Sequence, residues 1–204
     1  MRMIRYTLMA AALAAAGSAQ AFGIGVRAGT TGLGADVAWD LAPTLSARLG
    51  YSGGKFGYDV ETDQVNYDGD VKLSNVNALL DFAPLGPLFR ISGGVVFNEN
   101  KYDVRGNTVG GSLSGTVKSG KSAAPYLGIG FGRVAGAGVN FYADLGIMFQ
   151  GSPRVSLTAN CTAPGSGACT ALQSQVAAEQ TRLQDELDGF KYYPVLNIGL
   201  TIGF

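Results

Sequence analysis

The sequence predicts an all-β fold, an up-and-down ring of eight antiparallel strands that crosses a membrane. Three observations predict it: a secretory start, segments in which large apolar residues alternate with small or polar ones, and turn-rich links between those segments. The composition agrees, because 31 glycines and only 15% charged residues make the chain too glycine-rich for helices and too apolar for disorder.

The first residues have the three parts of a secretory signal peptide. Two arginines are followed by an apolar run at residues 6–16 and then by the small-residue pattern Ala19-Gln20-Ala21. The run is well short of the roughly 20 residues that an anchoring helix needs. We therefore expect a signal peptide at residues 1–21 and one mature domain at residues 22–204.

The last segment of the chain shows the alternation most clearly. Large apolar residues at every second position, Leu196 to Phe204, face one way, while Asn197, Gly199, Thr201 and Gly203 face the other. Lipid outside and a filled interior explain such a strand better than a soluble sheet does. The end also resembles the C-terminal assembly signal of bacterial outer-membrane proteins, carried by Asn197, Gly199, Ile202 and Phe204. The resemblance implies insertion by the outer-membrane assembly machinery into a membrane of lipid and lipopolysaccharide.

Seven further segments alternate in the same way, at residues 22–29, 33–41, 45–52, 75–82, 89–98, 126–132 and 139–150. Residues 42–44, 84–87 and 135–138 are predicted to form tight turns. Residues 59–70, 98–121 and 151–191 read as long outer loops. The link at Thr30-Thr31-Gly32 is short for an outer loop, but an even strand number requires it and places both termini in the periplasm.

The predicted interior collects charges of both signs. Eight strands enclose a space just wide enough for side chains. Buried charges are tolerated when they are paired and hydrogen-bonded, so we expect an internal ion-pair network that closes the lumen. A selectivity or gating site is the competing interpretation. The charged members are Arg27, Asp36, Arg48, Asp81, Arg90 and Asp144, and the expected polar partners are Asn75, Asn77, Tyr126, Asn140, Tyr142 and Asn197.

The glycines at 128, 130 and 132 superficially match a phosphate-binding loop. A dinucleotide fingerprint needs a following helix, whereas an alternating strand follows here. Small residues that face a crowded interior explain these glycines better.

Cys161 and Cys169 are the only cysteines, and in an exported chain they predict a local disulfide. The segment after them, Thr170 to Phe190, predicts an extracellular helix capped by Thr170, with an apolar stripe of Leu172, Val176, Leu183, Leu187 and Phe190. We expect this helix to be a lid over the barrel mouth or rim, with recruitment of a partner helix as the alternative.

The mature chain, and above all the segment from FQGSPRVSLTA to LQDELDGFKYYPVLNIGL, resembles a family of proteobacterial outer-membrane barrels. The resemblance implies a fold and no activity. In build such a protein is similar to the OmpA transmembrane domain, OmpX or OmpW, and we expect a non-enzymatic envelope protein with surface loops. The alternatives are a narrow channel for small or hydrophobic molecules and a lipid-modifying barrel enzyme.

Several function classes are disfavoured by composition. Histidine is absent, which removes the commonest general base and metal ligand, so an enzyme is not expected. The balance of 15 basic and 15 acidic residues gives no electrostatic footprint for nucleic acid. We expect no cofactor and no metal.

Overall fold

The computed structural model describes residues 21–61, 66–86, 88–108, 111–161 and 165–204. The predicted signal peptide, except Ala21, lies outside the described residues. The strands are β1 Phe22–Gly29, β2 Gly32–Ala42, β3 Leu45–Glu61, β4 Asn66–Phe82, β5 Arg90–Asn98, β6 Lys101–Thr108, β7 Gly111–Lys118, β8 Ala123–Gly132, β9 Gly138–Met148, β10 Arg154–Cys161 and β11 Tyr193–Gly203, with helix α1 at Gly167–Leu187.

Eight of these strands form a closed antiparallel ring. Its order is β1-β2-β3-β4-β5-β8-β9-β11, and β11 closes it by pairing with β1, where Val26 lies opposite Leu200. The eight alternating segments of the sequence are the eight ring strands. Each of them keeps one face inward and one outward because successive side chains of a strand point to opposite faces.

The remaining strands continue the sheet beyond one end of the ring. We call this part the outer sheet: residues 54–61 of β3, residues 66–73 of β4, and all of β6, β7 and β10. The prediction of plain loops at residues 59–70, 98–121 and 151–191 was therefore wrong in these parts. The physical reason is that β6 continues the pairing of β5 along β4 without a change of register. Asn75 lies opposite Asn98, and Lys72 lies opposite Lys101.

The short connections lie at the opposite end, together with both chain ends. Phe22 and Phe204 exchange two backbone hydrogen bonds, of 3.2 and 2.8 Å. The turn between β8 and β9 needs glycine, because Gly132, Gly136 and Gly138 all have positive φ angles, of 83°, 119° and 86°. The predicted tight turns therefore share one end of the ring with the termini.

Helix α1 begins three residues earlier than predicted and ends before Phe190. Ser166, and not Thr170, is the N-cap, since its hydroxyl oxygen accepts a hydrogen bond of 3.2 Å from the backbone N–H of Cys169. Phe190 lies outside the helix and is 62% exposed. Within the described part of the chain, no helix is both long and apolar enough to span a bilayer.

The helix lies along β10, which is an edge strand of the outer sheet, and is not a lid over the mouth of the ring. Its half-buried side, which includes Leu172, Val176 and Leu183, faces this strand. Gln180 and Gln184 accept hydrogen bonds of 2.9 and 3.0 Å from the backbone N–H groups of Leu157 and Val155. The lid prediction was wrong because β10, which was not predicted, leaves an open backbone edge, and the helix covers that edge.

Candidate functional site

The end of the lumen nearer the chain termini, which we call the inner end, holds four charged side chains. Each arginine there contacts both aspartates. Arg48 donates to Asp144 at 2.6 Å and to Asp81 at 3.1 Å. Arg90 contacts the same two carboxylates: its Nε lies 3.4 Å from Asp81 Oδ1, and its Nη2 donates to Asp144 Oδ1. The Ser92 hydroxyl also donates to Asp81. Because all four charged side chains are buried and carry two charges of each sign, they neutralise one another.

Arg27 and Asp36 form a second pair farther along the lumen. Arg27 donates to Asp36 at 2.9 Å, to Ser52 at 3.1 Å and to Asn77 at 2.5 Å. The Tyr142 hydroxyl donates to the other oxygen of Asp36. The structure thus brings all six charged residues singled out from the sequence into the lumen, three of each sign.

Tyr142 connects the two groups of charges. The guanidinium carbons of Arg48 and Arg90 each lie 5.3 Å from the centre of its ring. The ring lies over Gly199, where a Cβ would overlap it. A Cβ on Gly130 would come within 2.5 Å of Arg90 Nε. The glycines therefore make room for large polar side chains in a narrow interior.

The polar partners expected from the sequence divide into three groups. Asn77 and Tyr142 join the ion pairs, as described above. Asn197 accepts from Thr31 at 3.1 Å, and Asn75 donates to Asn100 at 3.0 Å, so both belong to a separate polar cluster near the outer end. The expectation was wrong for the other two. Asn140 bonds the backbone of the turn at Gly136 and Gly138, and Tyr126 packs among apolar side chains.

An apolar stopper, which the sequence analysis missed, lies beside this polar cluster. Its members are buried inward-facing side chains of five ring strands: Leu79, Val96, Ala124, Tyr126, Met148 and Val195, with the half-buried Tyr193 against them. The sequence contained a signal for this cluster, because Leu79, Val96 and Val195 are apolar residues at inward-facing positions of their strands. It was missed because polar side chains were expected throughout the interior.

The cavities that remain inside the described part of the lumen are small. One of about 20 Å³ lies between the Arg27 level and the stopper, lined by Arg27, Asn77, Leu79 and Tyr126 among others. Such a volume holds about one water molecule. A second, of about 60 Å³, opens at the inner end near Asp40, Thr44 and Arg133. Side chains therefore fill the lumen.

The outer wall of the ring is apolar. Large side chains on every ring strand project outward, including Leu33 at 70% exposure, Phe141 at 71% and Ile198 at 63%. In contrast, Arg48 and Asp36 are each 1% exposed. The two faces of the wall are thus reversed relative to a soluble barrel.

The four residues of the predicted assembly signal take two different positions. Asn197 is buried in the lumen and Gly199 lies under Tyr142. Ile202 and Phe204 project outward, with exposures of 56% and 76%. The last strand therefore shows the two-faced pattern along its whole length.

Cys161 and Cys169 form a disulfide that ties the end of β10 to the first turn of α1. The disulfide attaches the start of the helix to the edge of the outer sheet, and Gln180 and Gln184 attach its second half. Among the described residues, no cluster of His, Cys, Asp and Glu side chains is suited to hold a metal ion.

Comparison with solved structures identifies the same architecture elsewhere. CarO2 of Acinetobacter baumannii superposes with a TM-score of 0.64 at 22% identity, over 90% of this chain and 98% of that one. CarO of the same organism gives a TM-score of 0.63 at 24% identity, over 89% and 97%. The chain shares the CarO fold. No protein-family model and no curated protein sequence matches it.

Proposed function

We propose that this chain is an integral outer-membrane barrel whose lumen is closed by side chains, and that it serves the envelope without catalysis or steady conductance. Eight strands span the membrane, both termini lie in the periplasm, and the outer sheet with helix α1 faces the cell exterior. In this proposal the outer-membrane assembly machinery inserts the chain, and lipid and lipopolysaccharide surround it.

The observation that carries the proposal is the reversal of the two faces. Exposed groups such as Leu145, Phe141 and Leu196 would be unfavourable in water, because burial of a large apolar side chain is worth about 1.5–3 kcal/mol. Lipid acyl chains supply the missing apolar environment. A closed ring also leaves no unpaired strand edge in the hydrocarbon, as a membrane requires.

The lengths of the connections support this orientation. Bacterial outer-membrane barrels have short periplasmic turns and longer outer loops. Here the turns at residues 43–44 and 133–137 share the end of the termini, and β3 and β4 each extend over 17 residues toward the other end. The build is then similar to the OmpA transmembrane domain, OmpX or OmpW, with a larger outer part.

The absence of catalysis rests on composition and on the site. The chain contains no histidine, and each of the three aspartates described in the lumen, Asp36, Asp81 and Asp144, is engaged by arginine. A lipid-modifying enzyme would need a general base beside the outer leaflet. Release of acyl chains from lipid A by the purified protein would contradict this part of the proposal.

A narrow channel is the second candidate, and one observation favours it. Several buried polar atoms of the lumen have no hydrogen-bond partner among the described residues, among them Arg27 Nε, Asn77 Nδ2 and Asp81 Oδ2. Water or a small polar solute could bind there. The charged cluster would then act as the filter.

One experiment distinguishes the closed barrel from the narrow channel. Outer-membrane fractions are extracted with detergent, the protein is identified by its heat-modifiable mobility on a gel, and the same sample is reconstituted in planar bilayers. A closed lumen predicts a heat-modifiable outer-membrane protein without reproducible current steps. Steps that disappear in Asp81→Ala or Arg90→Ala would favour the channel and contradict the closed lumen.

A further inference from the structure

Five basic residues lie side by side across the outer sheet. Lys55 is directly opposite Lys72, Lys72 opposite Lys101, Lys101 opposite Lys118, and Lys118 opposite Arg154, one residue from each of five neighbouring strands. We call them the basic row. Residues directly opposite each other project from the same face, and strands lie about 4.8 Å apart, so the row is about 19 Å long.

The row lies on the outer face, just beyond the apolar wall. Along β3, Lys55 lies on the same face as the exposed residues Leu49 and Tyr51, with Gly53 between, and along β4, Lys72 lies on the same face as Val76. Lys55 lies four positions after Tyr51, which is about 13 Å of extended chain. In the proposed orientation this height is the headgroup region of the outer leaflet.

The charges of the row are only partly neutralised within the protein. Lys101 pairs with Asp103 at 2.8 Å, and Asp70 lies opposite Asp103 in the next row outward. Glu99 is exposed two residues before Lys101. The other four basic residues form no ion pair with any residue that the structure describes. Like charges directly opposite each other destabilise a sheet, so an anion from outside would relieve the repulsion along the row.

A cavity opens beside the middle of the row, where the sheet divides between β5–β8 and β6–β7. Its volume is about 270 Å³, and its walls are Asn98, Glu99, Asn100, Lys101, Lys118, Ser119 and Ser122. Asn100 is 2% exposed, and its Oδ1 accepts from the Ser74 backbone N–H and from Asn75. Its Nδ2 is a buried donor without a hydrogen-bond partner in the described structure. Asn100 therefore belongs to the polar cluster of the lumen, and the charged groups at this cavity are Glu99, Lys101 and Lys118.

We infer that the basic row and this cavity bind the phosphate groups of the outer-leaflet glycolipid, lipopolysaccharide. One phosphate sits at the cavity between the ammonium groups of Lys101 and Lys118. Lys55, Lys72 and Arg154 bind neighbouring phosphates along the row. The inference rests on the proposed membrane position and adds a defined lipid site to it.

The test removes three charges of the row that form no ion pair within the described structure, in Lys55→Gln/Lys118→Gln/Arg154→Gln, and leaves the Lys101–Asp103 pair intact. The matched control, Arg105→Gln/Arg182→Gln/Lys191→Gln, makes the same change in net charge at exposed positions outside the row. Purified protein in micelles receives lipopolysaccharide, the same lipid with its phosphates removed, or inorganic phosphate alone. Bound glycolipid is counted by native mass spectrometry, and the temperature of the heat-modifiable transition is recorded.

Wild type and control are expected to retain lipopolysaccharide and to unfold at a higher temperature in its presence. The row variant is expected to bind about tenfold more weakly, because it loses three charge contacts with phosphate at exposed positions, where each ion pair is weak. Arginine at the same three positions is expected to restore binding. In micelles without phosphate, the row variant should unfold at or above the wild-type temperature, because repulsion has been removed.

Equal binding by the row variant and the wild type would overturn the inference, as would equal binding of the phosphate-free lipid. Protection by inorganic phosphate equal to that by lipopolysaccharide would overturn the assignment to a lipid. A row variant that unfolds earlier in phosphate-free micelles would reduce the row to a structural role. In each of these cases wild type still behaves as an outer-membrane barrel; if wild type is not heat-modifiable and is absent from that membrane, the proposed function itself fails.

Discussion

Asp144 is the residue on which the buried charges of the lumen converge, because its carboxylate faces both Arg48 and Arg90. It is 3% exposed, so water does not compensate a change there. A buried ion-pair network contributes little net stability when complete, but removal of one partner leaves the others uncompensated.

Asp144→Ala is therefore expected to lower the free energy of unfolding by about 3–5 kcal/mol, the usual cost of an orphaned buried charge. Urea titration in lipid vesicles measures it. Asp185→Ala, which removes an exposed carboxylate on α1, serves as the control and should stay within about 0.5 kcal/mol of wild type. An Asp144→Ala protein as stable as the control would show that Arg48 and Arg90 do not depend on Asp144 for charge compensation.

Gly199 is needed for the space under the Tyr142 ring. Gly199→Ala should cost about 1–3 kcal/mol through overpacking, measured by the same titration. Gly189→Ala is the control, because a Cβ there meets nothing within 4 Å. In Gly199→Ala/Tyr142→Ala the cost should be less than the sum of the single changes. Additive costs would contradict the contact.

At the scale of elements, the helix covers the strand edge that the outer sheet leaves open at β10. Gln180→Leu/Gln184→Leu should speed amide exchange at Val155 and Leu157, because both N–H groups lose their acceptors. Gln173→Leu/Gln175→Leu alters two exposed glutamines of the same helix and should leave exchange unchanged. Unchanged exchange in the first variant would mean that the helix does not protect the edge.

The outer sheet should also respond to acid. Burial opposes the charged form of Asp103, but hydrogen bonds from Lys101 and Thr116 and the charges of Lys101 and Lys72 outweigh it, so the pKa of this carboxyl lies below its ordinary value of 3.8. A lowered pKa stabilises the fold above that value and loses its effect as the pH falls through the folded-state pKa.

Amide exchange in β6 and β7 should accordingly rise as the pH is lowered below about 3.8, after correction for the intrinsic rate. In Asp103→Asn this rise should be smaller, with exchange at neutral pH already faster. An identical pH profile in wild type and Asp103→Asn would remove Asp103 as the cause.

The ring strands could be predicted from the sequence because alternation and turn chemistry are local signals. Leu196 to Phe204 shows both faces of the wall within nine residues. The outer sheet could not, because strands such as β7, with the sequence GSLSGTVK, have no purely apolar face and are defined by pairing with distant residues. The helix was predicted, but its partner β10 was not, and so its position was wrong.

For the whole molecule, the two faces of the wall have opposite chemistry. The ion-pair network and the stopper fill the ring, the apolar side chains surround it, and the basic row lies immediately beyond them. Six interior charges could be placed from sequence parity alone, because a strand at fixed register has only two sides. The division of the interior into charged and apolar levels depends on five strands at once and became visible only in the fold.

Contact with lipid is the central claim, and tryptophan quenching by brominated acyl chains tests it directly. The chain has a single tryptophan, Trp39, so Trp39→Phe provides a background for one new probe at a time. Phe141→Trp places the probe on the outer wall and Tyr126→Trp places it in the lumen, each replacing an aromatic residue. We expect strong quenching at position 141 and little at position 126. Equal quenching, or stronger quenching at 126, would contradict the account.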